Sequence, residues 1–67
     1  MEGIVEVDDI RFHWELRESA RRGPARCTLH VAFGELTLAR LYSEPLTQDQ
    51  AQTEAERLAP DVLRRVG

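Results

Sequence analysis

Apolar and polar residues alternate along two stretches of the chain, Ile10-Phe12-Trp14-Leu16 and, after a polar interruption, Cys27-Leu29-Val31-Phe33. A period of two is that of a strand with one buried face. Gly34-Glu35 follows directly, and glycine in the first of two central positions is the sequence form of a type II′ hairpin loop. The loop predicts that Phe33 faces Leu36 and Val31 faces Leu38, which brings both apolar series to one side of a sheet.

The same requirement constrains the longer hairpin, since an apolar residue of one strand must meet an apolar residue of the next on the buried side. Pairing Arg17 with Arg26 sets Leu16 against Cys27, Trp14 against Leu29, Phe12 against Val31 and Ile10 against Phe33, with Glu18 to Ala25 as the loop. A slip of two residues either way satisfies the pattern equally well. Upstream, Val5 and Val7 flank Glu6, and the buried parity then changes from odd to even across Asp8-Asp9. The chain must turn or bulge there. A first strand, Gly3 to Val7, is expected either to pair back on Ile10 to Leu16 or to continue it after a bulge.

Beyond Tyr42 the period changes. Ser43-Glu44-Pro45 stops the strand, and Thr47-Gln48-Asp49-Gln50 has the form of a capping box with an acid in the first helical turn. Ala51, Ala55, Leu58, Ala59, Val62, Leu63 and Val66 then recur at spacings of three and four, a stripe that covers one face of a sheet. Gln52, Glu54, Glu56 and Arg57 fall on the other side. Pro60 removes a backbone donor and crowds the preceding turn, so a kink or a restart is expected there. Strands first and one helix last describe an antiparallel α+β domain, a meander of three to four strands with a C-terminal helix on one face. Residues 1–67 read as a single small domain, without repeat or linker.

At 67 residues the chain buries only about 60% of its unfolded surface, which makes partners or self-association an expectation. Its one cysteine, Cys27, falls in the buried alternation, where it reads as a small core residue. No apolar run approaches the roughly 20 residues of a membrane span, and Met1-Glu2-Gly3 does not open like a signal peptide. These features read as a cytoplasmic soluble protein. The net charge is −3, and all nine basic residues are arginine. An acidic total argues against a general nucleic-acid coat protein.

Motifs of catalysis are missing: there is no phosphate loop, cysteine cluster, nucleophile elbow or helical histidine pair. Four features are left as candidates for recognition, each with a plainer reading. In the register above, His13 and His30 face each other on the side away from the core, close enough to touch or share a ligand, although a zinc site needs three or four ligands. Arg17, Arg21, Arg22 and Arg26 gather around Gly23-Pro24, where guanidinium forks suit phosphate or carboxylate, or form a solvated loop answered by Glu15 and Glu18. Thr37, Ala39 and Leu41 lie beside Thr28, His30 and Ala32, an apolar surface for one left in water. Phe12, Trp14, Phe33 and Tyr42 share the buried parity, which makes them core and not a stacking platform for bases.

The sequence therefore reads as a non-enzymatic interaction module, a homodimer without cofactor or metal. Its expected partner-binding residues are Arg17, Arg21, Arg22, Arg26, His13, His30, Ala39 and Leu41. The second reading is a nucleic-acid-binding protein that uses the arginine loop 17–26.

Overall fold

A computed structural model describes residues 1–19 and 26–65. Four strands, β1 (Glu2–Val7), β2 (Ile10–Ser19), β3 (Arg26–Phe33) and β4 (Leu36–Tyr42), form one antiparallel sheet in the order β1-β2-β3-β4, followed by helix α1 (Gln48–Arg64). Each strand pairs with its sequence neighbour, so the sheet is the meander expected from the pattern. Of the two routes open to the first strand, β1 takes the hairpin: Val7 pairs with Ile10, Val5 with Phe12 and Gly3 with Trp14. The link is Asp8-Asp9, both at positive φ (53° and 64°), the form of a type I′ turn, which aspartate tolerates better than most residues.

β3 and β4 meet in the predicted register, with Phe33 opposite Leu36 and Val31 opposite Leu38. Gly34 has φ +61°, as the first position of a type II′ turn requires. The β2–β3 register differs from the expected pairing by two residues. Leu16 faces Leu29, Trp14 faces Val31, His13 faces Ala32 and Ser19 faces Arg26. Parity could not exclude this slip, because it leaves every side chain on the same face. The observed register brings the rings of Phe12 and Phe33 together, their centroids 5.6 Å apart and tilted by 50°, an arrangement that aromatic pairs favour. The expected loop, Glu18 to Ala25, is shortened, since β2 continues through Ser19.

The even residues of β2 and the odd residues of β3 meet α1. Val5, Phe12, Trp14, Leu16, Cys27, Leu29 and Val31 are buried with Ala51, Ala55, Leu58, Ala59 and Val62 of the helix. The alanines let the helix lie close to the sheet, and Phe33 and Tyr42 stay half-buried at its margin. Val66 lies outside the described residues. Thr47 caps the helix as predicted: its Oγ1 accepts from the Gln50 backbone at 3.2 Å, and Gln50 Oε1 accepts from the Thr47 backbone at 2.9 Å. No restart occurs at Pro60; α1 runs as one helix from Gln48 to Arg64. Proline has no N–H for the carbonyl four residues back, so the Glu56 carbonyl is left without its helical donor on an exposed turn. Cys27 is fully buried, and its Sγ donates to the Glu44 carbonyl at 3.2 Å, which ties the segment leading into the helix onto the sheet.

Trp14 occupies the centre of the β1 side. Its indole lies over Gly3, where a Cβ would come within 2.7 Å of the ring, so only glycine leaves the ring its place. Its Nε1–H donates to Gln52 Oε1 at 2.7 Å, and Gln52 Nε2 donates to the Ile4 carbonyl at 3.1 Å. The apolar spacing alone places Gln52 on the solvent side of the helix. It stands three residues before Ala55 and seven before Ala59, at the border of the apolar stripe, and it turns inward because the buried indole N–H needs an acceptor.

Candidate functional site

One helix covers one face of the sheet, and among the described residues nothing covers the other. By alternation it carries Glu2, Ile4 and Glu6 of β1, Arg11, His13, Glu15 and Arg17 of β2, Arg26, Thr28, His30 and Ala32 of β3, and Thr37, Ala39 and Leu41 of β4. The two halves of this face differ in chemistry. On β1 and β2 the charges answer each other: Arg11 lies 3.3 Å from Glu6, Arg17 lies 2.9 Å from Glu15, and His13 Nε2 lies 3.4 Å from Glu2, an ion pair when the imidazole is protonated. Such exposed pairs each contribute little stability. On β4 and the adjoining part of β3, the register sets Thr28 beside Leu41, His30 beside Ala39 and Ala32 beside Thr37. Apart from His30 that patch has no ionisable side chain, and Leu41 is 64% exposed.

The histidine pair is not formed as expected. His13 stands opposite Ala32 and His30 opposite Glu15, so the two imidazoles are diagonal neighbours, each beside a glutamate. The two-residue slip of β2 against β3 is the cause. Among the described residues no three histidine, cysteine, aspartate or glutamate side chains gather in a way that could hold a metal ion. Of the arginine cluster, Arg17 donates to Glu15, which holds the Glu15 carboxyl below its ordinary pKa, and Arg26 is exposed at the start of β3. Arg21 and Arg22 lie outside the described residues. Ala39 and Leu41 are exposed on β4, as predicted.

The two edges of the sheet form the rest of the surface. In a two-residue hairpin the flanking residues are a hydrogen-bonded pair, and such pairs alternate along the ladder. Counting from Phe33 and Leu36, the backbone N–H and C=O groups of Thr37, Ala39 and Leu41 turn away from β3 into the open. Counting from Val7 and Ile10, those of Glu2, Ile4 and Glu6 do the same on β1. Beside the β4 edge, on the helix side, lies a groove of about 450 Å³ lined by Leu38, Ala39, Arg40, Leu58, Asp61, Arg64 and Arg65. Asp61 accepts from Arg64 at 3.0 Å. Tyr42 sits on the same face of β4, its hydroxyl shielded and without a hydrogen-bond partner among the described residues. That burial, reinforced by the Glu54 carboxylate, pushes the phenol above its ordinary pKa.

Sequence reasoning missed this groove. Its signal was Arg40, a charge on the buried parity of β4, which is a mark of an edge strand. No helix among the described residues is long and apolar enough to cross a membrane. Compared with known proteins, the chain matches no protein family, no curated protein and no solved structure.

Proposed function

We propose that the protein is a non-enzymatic interaction module that works by surface recognition, and that it pairs with itself through the uncharged half of the bare sheet face. The observation that supports this reading is the division of that face. Thr28, Ala32, Thr37, Ala39 and Leu41 surround His30 in a patch of mostly small and apolar side chains, while the carboxylates and arginines of this face lie on β1, on β2 and, as Arg26, at the start of β3. An apolar patch bordered by polar residues is the usual mark of an interface. A two-fold arrangement would lay Leu41 of each copy on the alanines of the other.

Sedimentation equilibrium at high micromolar concentration tests the proposal. The expected result is a mass of about 15 kDa, twice the 7.7 kDa of one chain. Leu41→Glu should weaken the association by at least about tenfold, since it buries a charge in the contact. A monomer at these concentrations refutes self-association, and an undisturbed Leu41→Glu dimer moves the contact away from the face. The nucleic-acid reading separates by salt: phosphate contacts weaken steeply as salt rises, whereas an apolar contact does not.

A further inference from the structure

The geometry points to the β4 edge as an acceptor for an acidic, extended peptide segment, which adds a fifth strand to the sheet and sends alternate side chains into the groove beside α1. This rests on the reading of the protein as an interaction module, but not on its self-association.

Three observations meet at this edge. Thr37, Ala39 and Leu41 turn their N–H and C=O groups outward, and no side chain among the described residues reaches them. An added strand takes up such a row of groups directly. The strand's side chains alternate, so every second one faces the helix side, where the groove offers Leu38 and Leu58 as apolar wall and Arg40, Arg64 and Arg65 as donors. Among the described residues that line the groove, three guanidinium groups stand against one carboxylate, Asp61, which is already engaged by Arg64. The partial negative charge at the end of α1 offsets part of this excess and leaves the groove positive. Arginine forks pair bidentately with carboxylates, so the segment that fits carries an apolar and an acidic side chain two residues apart on its groove-facing side.

The same charges speak against β4 of a second copy as the occupant. Its groove-facing residues are Leu36, Leu38, Arg40 and Tyr42, so pairing two β4 edges would bring one more arginine into a groove that already holds three. A charge pointing inward on an edge strand is a known barrier to pairing between copies. Arg40 thus discourages a second β4 and attracts an acid. Self-association through the outer face leaves this side of β4 accessible.

The test uses the whole chain and three synthetic probes: the acetylated, amidated nonapeptide Thr-Val-Thr-Glu-Thr-Val-Thr-Glu-Thr, the same peptide with lysine for each glutamate, and the first with proline for its central threonine. Amide chemical shifts and hydrogen exchange of Thr37, Ala39 and Leu41 are read during each titration, with sedimentation run on the same samples. The glutamate peptide should slow exchange at these three amides, and should bind about tenfold more tightly than the lysine peptide. The proline peptide should lose most of this binding, because it cannot complete the ladder. Arg40→Glu with Arg65→Glu should reverse the preference between the charged probes. Equal binding of the glutamate and lysine peptides to the unaltered protein, or unchanged exchange at millimolar peptide, overturns the proposal without need of any variant. Amides 37, 39 and 41 already protected in a peptide-free dimer would place a second copy on the edge and overturn it too. Protection by the glutamate peptide in a sample that sediments as a monomer upholds the acceptor edge and rejects only the self-pairing.

Discussion

The two edges of this sheet expose the same backbone and are built differently. On β1 the outward residues carry Glu2 and Glu6, and the helix sends Gln52 over the strand to take up the Ile4 carbonyl at 3.1 Å. On β4 the outward residues are Thr37, Ala39 and Leu41, uncharged and capped by no side chain among the described residues, and the guarding charge, Arg40, stands on the helix side. Unpaired strand edges recruit other chains unless something blunts them. The β1 edge is closed by acids and by a side chain from another element; the β4 edge is closed only to a partner that brings positive charge. Position in the sheet is equivalent, and the difference lies in which side chains accompany the backbone.

The largest effect expected from breaking this comparison is at Trp14, which joins the β1 side to the helix. Trp14→Ala should cost about 3 to 5 kcal/mol by urea unfolding, most of the stability of a domain this size. A variant as stable as the parent would contradict the burial of the indole. Next comes Gly3→Ala, whose methyl would press on the indole at 2.7 Å and should cost about 1 to 3 kcal/mol. Ala39→Val on the open edge should change stability by less than about 0.5 kcal/mol. Equal costs at the two positions would erase the distinction between a packed edge and a free one. Gln52→Ala removes the acceptor of the indole and the cap of the Ile4 carbonyl, for about 1 kcal/mol, and should leave exchange at β4 untouched.

The smallest effect is electrostatic. The hydrogen bond and charge of Arg17 hold the Glu15 carboxyl below its ordinary 4.5. A depressed carboxylate adds stability above its unfolded pKa and loses it as pH falls through the lower folded value. Both groups are exposed, so the change should show in the carboxyl resonance of Glu15 and hardly in a melting curve. In Arg17→Ala that resonance should titrate closer to the ordinary value. An unchanged midpoint would mean that the pair does not persist in solution.

The face of every strand residue was legible in the sequence, because parity follows from the apolar alternation. The Gly34-Glu35 turn fixed the β3–β4 register through its length. No such short loop joins β2 to β3, and a slip of two residues keeps every parity, so the pairing of His13 with His30 was an expectation that tertiary contacts reversed. The capping box at Thr47 was readable because its bonds are local. The inward turn of Gln52 was not, since it answers an indole N–H 38 residues away. The groove at β4 was half legible, in the single basic residue among Leu36, Leu38 and Tyr42.

Cys27 gives the fold a built-in clock. The only thiol of the chain is fully buried and donates to the Glu44 carbonyl, so no reagent in solution meets it until the segment before α1 lifts or the sheet opens. At concentrations of a thiol-reactive dye where labelling outpaces reclosing, the labelling rate of the native protein counts these openings one by one. Its dependence on low concentrations of urea tells which kind they are: a flat response marks the lifting of the linker alone, and a steep one marks unfolding of the whole domain.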